Sequence, residues 1–201
     1  MKAKRKGIST KSKKVVRKKV ARKPAAKQPA RKAVATKAPA RKGKALSRIE
    51  DYLLEHKIRY TLIRHAKAYT AQEIAAAEHV SGKQHVKVVI VAAKGQHVLA
   101  VLPAAARVDF KKLGKLVGKS VSLAKEDVLK TLFPDCDIGA MPPLASLYNL
   151  PMFVDKSLAQ NQEIVFQGGT HTDAIKVAYA DFAKLETPSL GEFAQYGQKA
   201  R

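Results

Sequence analysis

The distribution of charge decides first what this chain can fold into. Residues 1–45 carry 14 Lys and 5 Arg and no acidic residue, whereas residues 46–201 carry 20 basic and 16 acidic ones. Like charges at that density repel, and Pro24, Pro29 and Pro39 interrupt any long helix. A segment of Lys, Arg, Ala and Pro has too little apolar surface to offset the entropy of ordering it, so residues 1–45 are expected to be disordered in isolation. Folding is left to a near-neutral body of residues 46–201, long enough to bury a core by itself.

Several classes drop out. No apolar h-region follows the basic residues, so the tail does not read as a signal peptide; Lys-dominated and without an apolar stripe, it does not read as a mitochondrial presequence either. No stretch approaches 18 consecutive apolar residues, which argues against a membrane span. A single cysteine, Cys136, excludes an internal disulfide and fits a reducing, cytoplasmic compartment. The tail has the composition of linker-histone-type tails. A flexible polycation of this length spans about 35–40 Å and gains affinity for DNA or RNA by counterion release.

Along the body, SRIEDYLLEHK (47–57) reads as an amphipathic helix, and Tyr60, Leu62 and His65 as a short strand. Thr70 and Glu73 form a capping box ahead of a helix through Val80. HVKVVIVAAKGQHVLAVLP reads as a hairpin turning at Lys94-Gly95-Gln96. Asp109 can cap a helix reaching Val117, and another near Glu126–Phe133 stops at Pro134. PMFVD, EIVFQ and TDAIKVA read as strands, YADFAKL as a closing helix, and the last residues as a frayed end. The class is α+β (mixed α/β): one domain at 46–186 with a central mixed sheet and surrounding helices, a tail at 1–45 and a flexible end at 187–201.

Most motifs that look chemical weaken under scrutiny. GKLVGKS (114–120) has three residues between its glycines where a phosphate loop needs four, and it follows a helix rather than a strand. The six histidines show no close pair with ligand spacing, so neither a metal nor another cofactor is expected. Cys136 lies between Asp135 and Asp137, which disfavour the thiolate a nucleophile needs. Lys87 is different, because it interrupts an otherwise apolar strand. It must be paired, reach past the strand end, or line a cavity. Gly139-Ala140-Met141-Pro142-Pro143 is a stiff loop presenting backbone carbonyls.

In order along the chain, TAQEIAAAEHV, the lysine of HVKVVIV, VLAVLPAAARVDFKKL, FPDCDIGAMPPLASLYNLPMFVD and EIVFQGGTHTDAIKVAYADF resemble the YbaK/EbsC-like family, free-standing relatives of the prolyl-tRNA synthetase editing domain. The resemblance spans roughly residues 47–186. It implies a trans-acting hydrolase, in most members metal-free, that cleaves the ester of mischarged aminoacyl-tRNA. The family lysine corresponds to Lys87, expected at the terminal adenosine or its phosphate. The family G-x-x-x-P loop corresponds to Gly139–Pro143, expected to position the aminoacyl group and water. Met141 and Pro143, and Thr170 with His171 in Gly168-Gly169-Thr170-His171, are expected to contact substrate. The suggested mechanism is substrate-assisted: the ribose 2′-OH helps activate water, which suits a sequence with no evident nucleophile–base pair. Val88 after the lysine and Ala104-Ala105-Ala106 depart from better-defined subgroups, so the amino acid accepted does not transfer.

Two functions follow for testing. The first is an editing hydrolase acting on mischarged tRNA, with the tail adding affinity for nucleic acid. The alternative is a nucleic-acid-associated protein, at the nucleoid if the tail takes DNA, whose body is a non-catalytic docking module.

Overall fold

The computed structural model describes residues 44–65 and 81–197. The basic tail, the Thr70–Glu73 capping box with its helix, and the last four residues lie outside the described residues.

The first helix, α1 (Lys44–Glu55), buries Ala45, Leu46, Ile49 and Leu53, a spacing that puts them on one face. It begins three residues before the expected start, so the boundary expected between residues 45 and 46 falls inside the helix. Its end is closed by Lys57 at φ 58°, with Ile58 N–H donating to Leu53 O at 2.8 Å.

In chain order the strands are β1 (Tyr60–Arg64), β2 (Val86–Ala93), β3 (Gln96–Pro103), β4 (Ala106–Val108), β5 (Val121–Leu123), β6 (Met152–Asp155), β7 (Glu163–Gln167), β8 (Asp173–Ala178), β9 (Ser189–Gly191) and β10 (Ala194–Tyr196). They form a five-stranded mixed sheet ordered β5-β2-β3-β6-β9, a three-stranded antiparallel sheet ordered β1-β8-β7, and the β10-β4 pair. The expected hairpin is the centre of the mixed sheet. β2 and β3 pair from Val86↔Pro103 to Ala93↔Gln96 around a two-residue turn in which Gly95 takes φ 83°. A single parallel bridge, His85↔Val165, with Val165 N–H donating to Gln84 O at 3.1 Å, joins the two larger sheets.

Strand alternation explains why the hairpin is apolar throughout. Leu99 and Val101 of β3 enter one core with Ile90, Phe133, Phe166, Ile175 and Phe182; Val98, Ala100 and Leu102 enter a second with Val91, Leu113 and Phe193. A strand covered on both faces has no solvent side and loses its polar alternation.

Three further helices pack around these strands: α2 (Phe110–Val117), α3 (Glu126–Leu132) and α4 (Tyr179–Glu186). As expected, Asp109 caps α2, its carboxylate accepting from Lys111 N and Lys112 N at 3.0 Å each, and Gly118 closes it at φ 74°. No described helix is long and apolar enough to cross a membrane.

The C-terminal stretch differs from the frayed end that was expected. β9 extends the mixed sheet, β10 pairs with β4, and Phe193 between them is fully buried. Burying that ring is worth roughly 1.5–3 kcal/mol. The buried Asp155 carboxylate holds it in place, one oxygen accepting from Phe193 N at 2.8 Å and Ala194 N at 2.7 Å. Burial opposes ionisation of Asp155, but hydrogen bonds from the Ser157 hydroxyl and from the Phe193, Ser157 and Ala194 amides outweigh it and hold the carboxyl below its usual range.

Candidate functional site

Two loops meet at the end of the three-stranded sheet. The first carries Gly139–Pro143; the second, between β7 and β8, carries Gly168–His171. Two backbone hydrogen bonds stitch them together, Asp137 N to Gly169 O at 2.8 Å and Gly169 N to Ala140 O at 3.0 Å, and Ala140 N to Asp137 O at 2.9 Å closes the first loop on itself. The glycines make this approach possible. Gly169 takes φ 89°, and a Cβ there would stand 2.4 Å from the Cβ of Ala45; one on Gly168 would stand 3.0 Å from Leu46. Gly169 is thus required both by backbone angle and by the packing of α1, and Gly168 by packing alone.

His171 leans over the first loop. Its Nε2 lies 3.1 Å from Ile138 O, and its Cε1 lies 3.6 Å from where a Cβ on Gly139 would sit. Gly139 itself takes φ 90° and points its N–H at the Met141 sulfur, 3.2 Å away. A thioether is a weak acceptor. A carbonyl oxygen or oxyanion arriving there would be a stronger partner for that amide. Met141 and Pro143 are buried and stiffen the loop. The Thr170 hydroxyl donates to Asp173 at 2.6 Å, and Asp173 also pairs with Arg64 at 3.4 Å, so Thr170 secures its own turn.

Gly139, Met141 and His171 are therefore brought together, with Pro143 and Thr170 in the same two loops. Lys87 is not part of that cluster. By alternation along β2 it shares a face with Val89 and Val91, which pack with the second core, and it stands opposite Leu102; Met141 belongs to the first core. The half-buried Lys87 ammonium donates to Ala104 O at 3.4 Å, in the turn after β3. Of the three sequence readings of this lysine, reaching past the strand end describes it best. Burial and then the neighbouring Arg107 lower its pKa.

The open clefts lie elsewhere among the described residues. One of about 700 Å³ is bounded by α1, Pro134, Asp135 and Leu147; another of about 300 Å³ adjoins Ser146, Met152 and Glu186. In the larger, Arg48 is already engaged with Asp135 at 3.3 Å, Leu147 O at 2.6 Å and the Tyr148 ring at 5.0 Å. In the smaller, Glu186 accepts from Tyr52 and from the amide and hydroxyl of Ser146, each at 3.1 Å. In each cleft one charged side chain is thus already engaged by its neighbours, and size alone does not make them sites. At Cys136 burial first, with Asp135 adding to it, pushes the thiol up to about 11 against the opposing Tyr148 hydroxyl, which disfavours the thiolate a nucleophile needs.

The fold is an α+β domain whose two glycine loops present backbone amides beside His171. The chain belongs to the aminoacyl-tRNA editing domain family, which matches residues 65–185 and so takes in Lys87 and both glycine loops. Among solved structures it is similar to a candidate trans-editing enzyme for prolyl-tRNA synthetase, at 22% identity and TM-score 0.67, covering 77% of this chain and 98% of that one. It is also similar to the hypothetical protein APE2540, at 23% identity and TM-score 0.68, covering 73% and 99%. At these identities the likeness establishes the fold. No curated protein sequence matches the chain.

Sequence reasoning passed over the structural demand on Gly168-Gly169 and the proximity of Arg107 to Lys87. The first had a signal, since adjacent glycines straight after an apolar strand mark a close backbone approach. The second had none, because it depends on where β4 lies.

Proposed function

We propose that this protein hydrolyses the ester linking a wrong amino acid to the 3′-terminal ribose of tRNA, acting in trans in the cytoplasm. The observation that carries the reading is the docking of His171 and the Gly139 loop within a domain of the editing family. Water adds to the acyl carbon, the ester C–O bond breaks, and the ribose oxygen leaves with a proton, giving free amino acid and uncharged tRNA. The ribose 2′-OH helps activate the water. The Gly139 amide exchanges the Met141 sulfur for the acyl oxygen as its hydrogen-bond acceptor, and His171 fixes the loop through Ile138 O. Lys87, on the other face of its strand, anchors the terminal nucleotide rather than the scissile carbonyl.

The energetics suit such a device. An ester is already activated, and holding it beside water in a fixed geometry supplies as much as ~7–11 kcal/mol. Editing is needed because one methyl group in a synthetase pocket discriminates by only about 1–3 kcal/mol. The test is release of labelled amino acid from tRNAs mischarged with alanine, serine, cysteine or proline. Fast release from one or two of them is expected; release from none refutes the reading.

The basic tail favours a second reading, a nucleic-acid-associated protein with a non-catalytic body. A chain beginning at Lys44 separates the two. It keeps deacylation and loses salt-dependent tRNA affinity under the first reading, and loses DNA or RNA association with no catalysis to retain under the second.

A further inference from the structure

Lys87 and Arg107 flank one turn. β3 ends at Pro103, Ala104 and Ala105 turn, and β4 brings Arg107 back two residues later. The turn is fixed from below, with Ala104 N bonded to His85 O at 2.8 Å and Ala105 N to Gly82 O at 3.2 Å. Lys87 reaches up to the Ala104 carbonyl, and the exposed Arg107 stands close enough to depress its pKa. No acidic residue occurs from Gly82 to Val108, and among the described residues neither cation forms an ion pair. Three alanines, 104–106, supply no side-chain acceptor in between.

A half-buried ammonium with one long bond to the Ala104 carbonyl, and an exposed guanidinium on the strand that leaves the same turn, are a poor arrangement for the protein alone. They suit an anion with two free oxygens, since a guanidinium fork and an ammonium together match a phosphodiester. The arrangement is also braced. Arg107 lies opposite Gln195 of β10, Asp109 N bonds to Phe193 O at 2.8 Å, and Asp155 holds Phe193 and Ala194. The C-terminal strap, beyond the span matched by the editing family, thus fixes the strand that carries the arginine.

We propose that Arg107 joins Lys87 in seating the phosphodiester between the last two nucleotides of the tRNA 3′ end, Arg107 being a substrate-binding residue; this rests on the deacylase reading above. The test compares the 3′-aminoacyl esters of adenosine, which lacks that phosphate, and of the dinucleotide CpA, which has it. Each carries the amino acid released fastest from tRNA, and the full chain is used throughout. Arg107→Gln lowers kcat/KM on the CpA ester about tenfold, chiefly through KM, and leaves the adenosine ester unchanged, which also reports an intact fold. Arg107→Lys recovers part of the loss, and Lys130→Gln on the exposed side of α3 changes neither ester. Equal losses on both esters, or no loss on CpA, overturn the proposal. Should the parent release amino acid from no tRNA, the deacylase reading falls; in that case, or where the parent hydrolyses neither small ester, calorimetry with the uncharged trinucleotide CpCpA decides this inference separately: weaker binding by Arg107→Gln supports it and equal binding overturns it.

Discussion

The two glycine loops and the lysine–arginine edge are built by opposite means. The loops are held by backbone: two hydrogen bonds between them and a third within the first, glycines at φ 89° and 90°, and α1 pressed against one of them. The edge is held by side chains, with one 3.4 Å bond from Lys87 and a short strand braced from the C-terminus. Backbone geometry fixes a position to within a few tenths of an ångström and suits an acyl group that must meet water at one angle. Long cationic side chains tolerate displacement and suit a phosphate, whose charge matters more than its angle. Mutations in the loops should therefore cost stability and rate together, while those at the edge should cost binding or rate with the fold intact.

The largest expected effect is on stability at Gly169. Alanine there meets Ala45 at 2.4 Å and also strains φ 89°, so Gly169→Ala should destabilise by roughly 2–4 kcal/mol, readable by urea unfolding. Asp155→Ala comes next. Freeing Phe193 and Ala194 should cost roughly 2–3 kcal/mol near neutral pH. Because the folded carboxyl is held below its unfolded value, its contribution is fully present above pH ~4 and is lost as pH falls through the folded pKa. The stability gap between parent and variant should thus close in acid; a gap that widens below pH 4 would contradict the assigned hydrogen bonds.

Gly139→Ala isolates backbone strain from crowding. It has the same sign of φ as Gly169 but a Cβ would have 3.6 Å to the nearest His171 atom. It should cost only about 1 kcal/mol in stability, and its larger effect should be on kcat. If both glycine variants unfold alike, the role given to α1 is wrong.

Much of this could be read before folding. The hairpin, the Asp109 cap and the late strands were visible because each has a local signal: continuous apolar runs, a capping carboxylate, β-branched stretches bounded by turn residues. The three-residue strands β4, β5, β9 and β10 were not, since so short a segment has no period and forms only when a partner edge is present. The loop residues Gly139, Met141 and His171 were named from family likeness, yet their mutual contact needs residues 30 apart in sequence to meet. Lys87 was legible as an anomaly in its strand; that it faces away from Met141, toward Arg107, was not.

Lys87→Ala is the smallest expected change in stability, because it removes a partly desolvated charge with a single weak bond. That makes it the sharpest measurement of the whole account: thermal unfolding and deacylation of the mischarged tRNA the parent clears best, on parent and variant side by side. The account predicts a melting temperature within about 2 °C of the parent and a fall in kcat/KM of about 10–100-fold, chiefly through KM, from loss of a charge-assisted contact to the terminal nucleotide. Deacylation at the parent's rate would contradict it.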